Sequence, residues 1–341
     1  MSGLSSFDRF SDLPEDIGRT VFELAAENGD GPRCALVSKR VQYWVEPKIY
    51  YRVVLQHAAV AKLFCRTLLN PETSKPPEFF ATHVKIFVAG EFSVREEIVA
   101  ALKKCLGVQT LVIWDSSTSI QEIFSSTDTL LNPTGISIWI PEVRDDAFHS
   151  PIFRNVTHLD LAFFEDDNLK QVKDLSELKC LTHFSLGLYY NSGSPAGMAR
   201  EVLRLCASKL RILIIWCFED YFFESHICFG DIKAIWEGEV DMRAITACTY
   251  GGPLSEPLGI YRQYTDRLED WAGTSVDPGN NFWAQAEAAI QGRKQRLEQL
   301  CYLPANGGEW YIRLDDKFDL DEHQEENALL MRALIRLLSR T

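Results

Sequence analysis

A short apolar pattern repeats along the middle of this chain, and it constrains the fold more than any other feature of the sequence. Six segments carry apolar side chains at their first, fourth and sixth positions, or nearly so, and they begin at residues 81, 108, 133, 156, 181 and 210. Their starts lie 27, 25, 23, 25 and 29 residues apart, and a fainter seventh segment begins at Met242. Such spacing is typical of chains that stack one supersecondary unit, because each unit buries its apolar face only against its neighbours.

Each segment is predicted to be a short strand whose apolar positions point into a common core. Between strands the chain is predicted to return as a helix or a loop, and residues 95–105 and 198–205 show helical spacing of apolar residues. The repeats resemble leucine-rich repeats of a degenerate kind that lacks an asparagine ladder. The resulting expectation is an α/β chain with an irregular leucine-rich-repeat-like solenoid over residues 75–250, and an unrelated α/β domain is the alternative.

A solenoid would present a strand surface to a partner, because the side chains between the inward positions face outward. Aromatic and acidic residues lie within or just after the strands, where they would suit a protein with a basic or mixed surface. The alternative is that most of these aromatic residues belong to the core. The candidates are Asp115, Trp139, Glu142, Asp160, Phe163, Phe164, Tyr189, Tyr190, Trp216, Phe218 and Tyr221.

The first 60 residues are predicted to form a separate helical module. The segment Asp12–Glu15 indicates a helix start, because an aspartate cap, a proline in the first turn and a glutamate three residues after the cap combine there. Residues 28–31 are predicted to end this helix, and a second helix is predicted from Pro32 to Pro47. The second helix has two apolar faces. One is expected to pack against the rest of this chain, and the other against a partner. One face comprises Cys34, Val37, Val41 and Trp44, and the other comprises Leu36 and Tyr43.

Three short motifs in this module resemble the F-box, a helical motif that docks on a Skp-type adaptor of cullin-RING ubiquitin ligases. They are Leu13–Ile17 at the start, Ala35–Arg40 with Trp44 in the middle, and Pro47–Val53 at the end. The chain departs from the family at Asn28–Pro32, where apolar residues are usual. By resemblance, the adaptor contact and the small core of the motif would be carried by Leu13, Pro14, Ile17, Leu36, Val37, Trp44, Ile49 and Tyr50.

The resemblance implies the substrate-recognition subunit of a Skp-cullin-F-box type ubiquitin ligase, which would bind the adaptor through its N-terminal helices and a protein target through its repeats. Such a protein is not an enzyme and needs no cofactor. A repeat scaffold with no ligase role, whose N-terminal helices cap the following domain, is the second hypothesis. The third is a hydrolase or transferase whose acidic residues converge only in the fold.

The composition limits the partners and the compartment. The net charge of −13 disfavours a nucleic acid or an anionic membrane as partner, since both would be repelled. The polar first dozen residues do not read as a signal peptide, and no apolar run is long enough to span a bilayer. The nine cysteines are scattered singly, as expected of reduced core residues. A cytoplasmic or nuclear location follows from these expectations.

Residues 251–341 are predicted to form helices that cap the solenoid, since a stack of repeats needs closed ends. Their acidic stretch 315–326 has leucine where a calcium loop requires glycine, so calcium binding is not expected. The chain has no local signature of phosphate, dinucleotide or zinc chemistry. His83, His158 and His183 share one repeat position, which predicts structural hydrogen bonds to a neighbouring repeat rather than catalysis.

Overall fold

The computed structural model of the chain contains helices at the N-terminus, between the strands and after the last strand. It describes residues 14–70, 75–90, 95–114, 131–139, 147–164, 174–188, 193–206, 209–217, 219–223, 226–248, 258–273 and 278–300. The described α-helices are α1 (Glu15–Ala25), α2 (Gly31–Ala35), α3 (Lys39–Ile49), α4 (Ala58–Leu69), α5 (Phe79–His83), α6 (Arg95–Leu102), α7 (Pro195–Leu205), α8 (Phe229–Trp236), α9 (Tyr264–Ala272) and α10 (Phe282–Leu300).

The strands form a single nine-stranded sheet in which sequence order is also spatial order. All pairs whose register is described are parallel. Equivalent repeat positions lie side by side at Leu111 and Ile136, whereas Leu111 pairs with Phe87 and not with Val84, so the first predicted segment is offset from the observed register by three residues. The predicted strand segments, including the fainter one at Met242, each contain or overlap a strand. The strands are β1 (Arg52–Leu55), β2 (Ile86–Ala89), β3 (Thr110–Ile113), β4 (Gly135–Trp139), β5 (His158–Phe164), β6 (His183–Leu188), β7 (Ile212–Cys217), β8 (Ala244–Cys248) and β9 (Ile260–Tyr261).

The predicted leucine-rich-repeat-like solenoid with a helical end cap is wrong, because the strands belong to one parallel sheet whose strands β6, β7 and β8 have no open face. Strands β6, β7 and β8 are buried at every position, including the positions between the inward apolar residues. Helices therefore cover both faces, and the chain is an α/β protein with one parallel sheet. The apolar pattern could not show this, since it marks only the side chains that point to one side.

Helices after the last strand contribute to this cover. Trp271 of α9 donates a hydrogen bond from Nε1 to Asp160 Oδ2 at 3.0 Å. The same carboxylate accepts from Ser137 Oγ at 2.7 Å, and Ser137 accepts from Trp114 Nε1 at 2.8 Å. These four side chains are buried, so the polar groups of β4 and β5 have partners without access to water.

The chain consists of two compact units. In the second unit, as in the first, side chains of helices cover the face of the strands. The first unit is Met1–Leu161 with Glu177–Cys180 and Trp271–Thr274, and the second is Ala162–Ser176, Leu181–Asp270 and Ser275–Thr341. In the second unit, Trp216 of β7 donates to Ser185 Oγ at 2.6 Å and contacts the ring of Phe282 in α10 at 5.6 Å. Arg267 of α9 stacks over the same indole at 4.5 Å.

Two threonines at the second position of the repeat reach the neighbouring strand. Thr157 Oγ1 donates to Thr134 O at 3.1 Å, and Thr134 Oγ1 donates to Gln109 O at 3.3 Å. His158 Nδ1 lies 2.9 Å from the hydroxyl of Thr157, within its own turn. Hydrogen bonds between neighbouring repeats are thus made by the threonines, and that such bonds are also made by the histidines stays a prediction.

The cysteines are free thiols wherever the chain is described, and most are buried as predicted. Burial raises the pKa of Cys105 to about 12 and that of Cys206 to about 11, so these thiols stay protonated and unreactive. Cys180 is exposed and departs from the prediction, while Cys301 lies outside the described residues. The same part of the chain contains no helix long and apolar enough to cross a membrane.

Arg293 joins α10 to the end of α8 and to β8. Its Nη1 donates to Ala244 O at 2.7 Å, and its Nη2 donates to Ile235 O at 3.0 Å and to Trp236 O. The carbonyls at the end of a helix have no partner within that helix, so a guanidinium can satisfy them. Burial, and secondarily the nearby charge of Arg296, lowers the pKa of Arg293 to about 10, and the side chain stays charged at neutral pH.

We expect Arg293→Ala to lower the free energy of unfolding by about 3 kcal/mol, because it removes the buried hydrogen bonds of a guanidinium to the carbonyls of Ala244, Ile235 and Trp236. Lys294→Ala is the matched control, since Lys294 is the exposed next residue of α10. Urea denaturation followed by circular dichroism measures both variants. Equal stability of the two variants would contradict the role of Arg293.

His183 makes the stability of the second unit depend on pH. Burial lowers the pKa of His183, the nearby charge of Arg211 lowers it further, and the contact of Nε2 with Glu287 at 3.3 Å only partly opposes them. The neutral ring is therefore favoured in the folded chain. Its contribution to stability is full above the ordinary pKa of 6.5 and is lost as the pH falls through the lowered folded value.

We expect His183→Gln to flatten the fall in the urea midpoint between about pH 7.5 and about pH 5, because the variant has no ring to protonate. His57→Gln changes an exposed histidine and serves as the control. An unchanged pH dependence in His183→Gln would show that burial of this ring is unrelated to acid sensitivity.

Candidate partner-binding surface

The N-terminal helices have a small core of their own. Cys34 of α2 packs with Val41, Trp44 and Val45 of α3, and partly buried residues of α1 and of the following turn lie against them. Trp44 is only 9% exposed. The first apolar face predicted for the second helix is thus used inside the chain, except at Val37.

A second set of apolar side chains in this module points away from that core. Ile17, Val21 and Leu24 lie on one face of α1 at spacings of four and three residues, and each is about half exposed. Leu36 and Val37 follow α2 and are 87% and 61% exposed. With Tyr43 of α3, which is 78% exposed, these residues are named the N-terminal apolar surface.

Local sequence explains why Leu36 and Val37 lie outside a helix. Ser38 has an extended backbone, and its hydroxyl accepts a hydrogen bond from Val41 N at 3.2 Å, so it caps α3. The predicted single helix from Pro32 to Pro47 is consequently two helices, α2 and α3, with a turn between them. Pro47 lies inside α3 near its end and does not terminate it.

The connection between α1 and α2 depends on two glycines. The chain is kinked within Ala26–Asp30, where Gly29 has a φ of 98° that side chains rarely allow. At Gly31, a Cβ atom would lie 2.7 Å from Ile49 Cγ1. The segment that departs from the F-box pattern is therefore adapted to a close approach of α2 and α3.

Ion pairs connect the helices around this core. Arg40 of α3 pairs with Glu15 at the start of α1 and stacks over the ring of Trp44 at 5.2 Å. Lys48 pairs with Glu27 at 2.5 Å. These pairs are largely exposed, so each contributes little to stability, but they set the orientation of α1 against α3.

The residues named by the resemblance divide into three groups. Pro14, Ile17, Leu36 and Val37 are exposed on the module. Trp44 is buried in the core of the module. Ile49 and Tyr50 are partly buried: Ile49 packs against that core, and Tyr50 contacts the residues that follow the module. Leu13 and the predicted cap Asp12 lie outside the described residues, and the N-cap position of α1 is occupied by Pro14, which makes no side-chain cap bond.

Tyr50 contacts the rings of Phe79 and Phe80 edge to face, at 5.6 and 5.2 Å. Lys75 lies over the Tyr50 ring and pairs with Glu46 at 2.8 Å, with both side chains largely shielded from water. Burial raises the pKa of Tyr50. The end of the module is therefore packed against the chain that follows it.

Three exposed members of the surface, Val21, Leu24 and Tyr43, were not among the site residues assigned by resemblance. The helical spacing of Val21 and Leu24 from Ile17 was the sequence signal that could have identified them. The structure then leaves this apolar stripe outside the buried core. Tyr43 was recognised as part of a second apolar face of its helix. What the sequence did not show was which of two apolar faces is turned to solvent.

The strand side chains expected to face a target are enclosed where the structure describes them. Asp160, Trp216 and Tyr221 are buried, and the side chains of the other candidates lie outside the described part of the chain. In that part, no three histidine, cysteine or acidic side chains come together as a metal site.

Comparisons of the chain with known proteins give no family. The sequence matches no protein-family model and no curated protein. The exposed apolar side chains and the core beneath them are accordingly the observations from which a function can be argued.

Trp44→Ala is expected to destabilise the module by about 3 kcal/mol, because it leaves a cavity in a small core. Leu36→Ala should change stability by no more than about 0.5 kcal/mol, since Leu36 is largely exposed. Hydrogen exchange of the α3 amides, followed by mass spectrometry, reports local opening of this module. Similar exchange in both variants would argue that Trp44 is not a core residue.

Proposed function

We propose that the chain is the substrate-recognition subunit of a Skp-cullin-F-box type ubiquitin ligase, and that it docks on a Skp-type adaptor through the N-terminal apolar surface. The observation that carries the proposal is the exposure of Leu36, Val37 and Tyr43 on a module whose core is already filled. Burying apolar side chains of this size in a complex contributes roughly 1 to 2 kcal/mol each. Exposed clusters of this kind mark interaction sites.

The shape of the module supports docking as a preformed unit. The capped start of α3, the glycine turn and the ion pair between Arg40 and Glu15 hold the exposed residues on an ordered scaffold. A partner then binds without the entropy loss of folding a disordered segment. The three motifs that resemble the F-box all lie in this part of the chain.

In this proposal the remainder of the chain holds the protein to be modified. Recruitment raises the effective concentration of that protein near the ligase, and no chemical step is required of this chain.

A structural role for the N-terminal helices is the alternative, in which they only cap the chain that follows. The contacts of Tyr50 with Phe79 and Phe80 favour that role for the end of α3. They do not account for Leu36, Val37 and Tyr43, which remain exposed in the chain on its own. The alternative therefore predicts that these three residues can be changed without loss of any partner.

The test is binding of the full-length chain to a purified Skp-type adaptor, measured by calorimetry. Leu36→Asp combined with Val37→Asp should weaken binding by about 100-fold or more, since charges would enter an apolar contact. Phe223→Ser combined with Ile227→Ser is the matched control, because it changes two exposed apolar residues of the second unit. Circular dichroism verifies that both variants are folded.

Failure of the unmodified chain to bind the adaptor would refute the proposed function. Equal affinity of the unmodified chain and the Leu36→Asp, Val37→Asp variant would refute the assigned surface.

A further inference from the structure

Three cysteines of the second unit come together where strands β7 and β8 end, and the proposed function uses none of them. Cys217 is the last residue of β7, Cys248 is the last residue of β8, and the two are paired in register. Cys228 is the N-cap residue of α8, a helix that packs on β8. All three cysteines are in the reduced state.

The side chains of Cys217 and Cys248 point to the same face of the sheet. Successive side chains of a strand alternate between its two faces. Trp216, the residue before Cys217, contacts Phe282 of α10, so Cys217 points to the face opposite this contact. Residues paired in register share a face, and Cys248 therefore points the same way as Cys217.

Electrostatic interactions place Cys228 beside this pair. Burial raises the pKa of Cys217 well above that of an ordinary thiol, and Cys248, Cys228 and Asp231 raise it further. Neighbouring groups shift a pKa in this way at short range. The three thiols therefore lie together with the carboxylate of Asp231, and they are named the β7–β8 thiol cluster.

The two strand cysteines have the spacing that a disulfide requires. Neighbouring strands in a sheet lie about 4.8 Å apart, and the Cα atoms of bridged cysteines lie about 4.4 to 6.8 Å apart. Because Cys217 and Cys248 are directly paired, a disulfide between them fits the spacing of the strands. Such a bond would join the carboxyl ends of β7 and β8 covalently.

The three thiols differ in their access to solvent. Cys217 and Cys248 are buried, whereas Cys228 is only partly buried. A buried, protonated thiol reacts slowly with an oxidant dissolved in water. An oxidant therefore reacts first at Cys228, whose Sγ is held in place by its hydrogen bond to Gly193 O at 3.4 Å.

We propose that the β7–β8 thiol cluster is a site of reversible oxidation, in which Cys228 reacts with hydrogen peroxide and Cys217 and Cys248 end as a disulfide. Peroxide transfers one oxygen atom to the sulfur of Cys228, its O–O bond breaks, and one water molecule leaves, which gives a sulfenic acid. The sulfur of Cys217 attacks the sulfur of Cys228, and a second water molecule leaves. The sulfur of Cys248 then attacks that of Cys217, which releases Cys228 as a thiol.

The balance of these steps is simple. Two thiols lose two protons and two electrons, and hydrogen peroxide takes them up to become two molecules of water. The slow reaction of the buried thiols with dissolved oxidants does not prevent these steps, because their reaction partner is a sulfur atom held beside them.

A purely structural role is the alternative, in which the cysteines only fill the core as small apolar side chains. Cys65 and Cys105 provide an internal control for that role. They are also neighbours, since burial and then the nearby Cys65 raise the pKa of Cys105, but both are buried. The proposal therefore predicts that this pair stays reduced under conditions that oxidise the β7–β8 thiol cluster.

The test treats the reduced full-length chain with hydrogen peroxide, blocks the remaining thiols with N-ethylmaleimide and maps disulfides by mass spectrometry. Chymotrypsin is needed beside trypsin, because aromatic residues separate Cys217 from Cys228, whereas lysine and arginine do not occur between them. We expect a disulfide between Cys217 and Cys248 that dithiothreitol reverses, while Cys65 and Cys105 stay reduced.

Cys228→Ser should slow formation of this disulfide by at least about tenfold, because the accessible thiol is missing. Cys180→Ser is the matched control, since it removes an exposed cysteine of the first unit, and it should leave the rate unchanged. Cys248→Ala should instead accumulate a disulfide between Cys217 and Cys228, because the final exchange has no thiol to complete it. Circular dichroism verifies that the variants are folded.

A second experiment needs no variant: brief alkylation of the unmodified chain at Cys228 before the addition of peroxide should keep Cys217 and Cys248 reduced. Absence of a disulfide within the cluster, an equal rate of its formation in Cys228→Ser or after alkylation of Cys228, or equally fast oxidation of Cys65 and Cys105 would overturn the proposal. None of these outcomes bears on adaptor binding, so this inference and the proposed function fail separately.

Discussion

Burial of a strand face that carries polar side chains is the constraint on which both units depend. A carboxylate or hydroxyl enclosed without a partner would lose its hydration with nothing in exchange. In the first unit, Asp160 satisfies this constraint through Ser137 and the indole of Trp271. In the second, Ser185 accepts from Trp216, and α10 covers that indole with Phe282. The helices after the last strand are therefore part of the core.

This cover also decides where a partner can bind. The strand surface expected to meet a target is occupied by the chain's own helices wherever it is described, so exposed apolar side chains elsewhere become informative. In the first unit the most exposed of them, Leu36, Val37 and Tyr43, lie on the turn before α3 and on α3 itself. In the second, Phe223 and Ile227 lie in the loop after β7.

Much of the secondary structure was predictable because burial leaves a regular mark on the sequence. Each strand from β2 to β8 overlaps a segment of the repeated apolar pattern, since inward side chains must recur once per unit, although the first segment lies mostly in α5 and reaches β2 only at Ile86. Strands β1 and β9 were not predicted. β1 lies at the end of the segment that resembles the F-box, for which only helices were predicted. Its burial alternates along the strand. β9 has two residues, too few for any period to register.

The sequence by itself determined where chain segments turn from helix to strand and which residues are apolar enough to form a core. It also indicated that the second predicted helix has two apolar faces, at Trp44 and at Tyr43. Only the tertiary structure decided that Trp44 is enclosed, that Tyr43 is exposed, and that Asp160 is buried under Trp271, 111 residues further along the chain. The physical reason is that local periodicity records which side chains share a face, whereas the element that covers that face is set by contacts between residues distant in sequence.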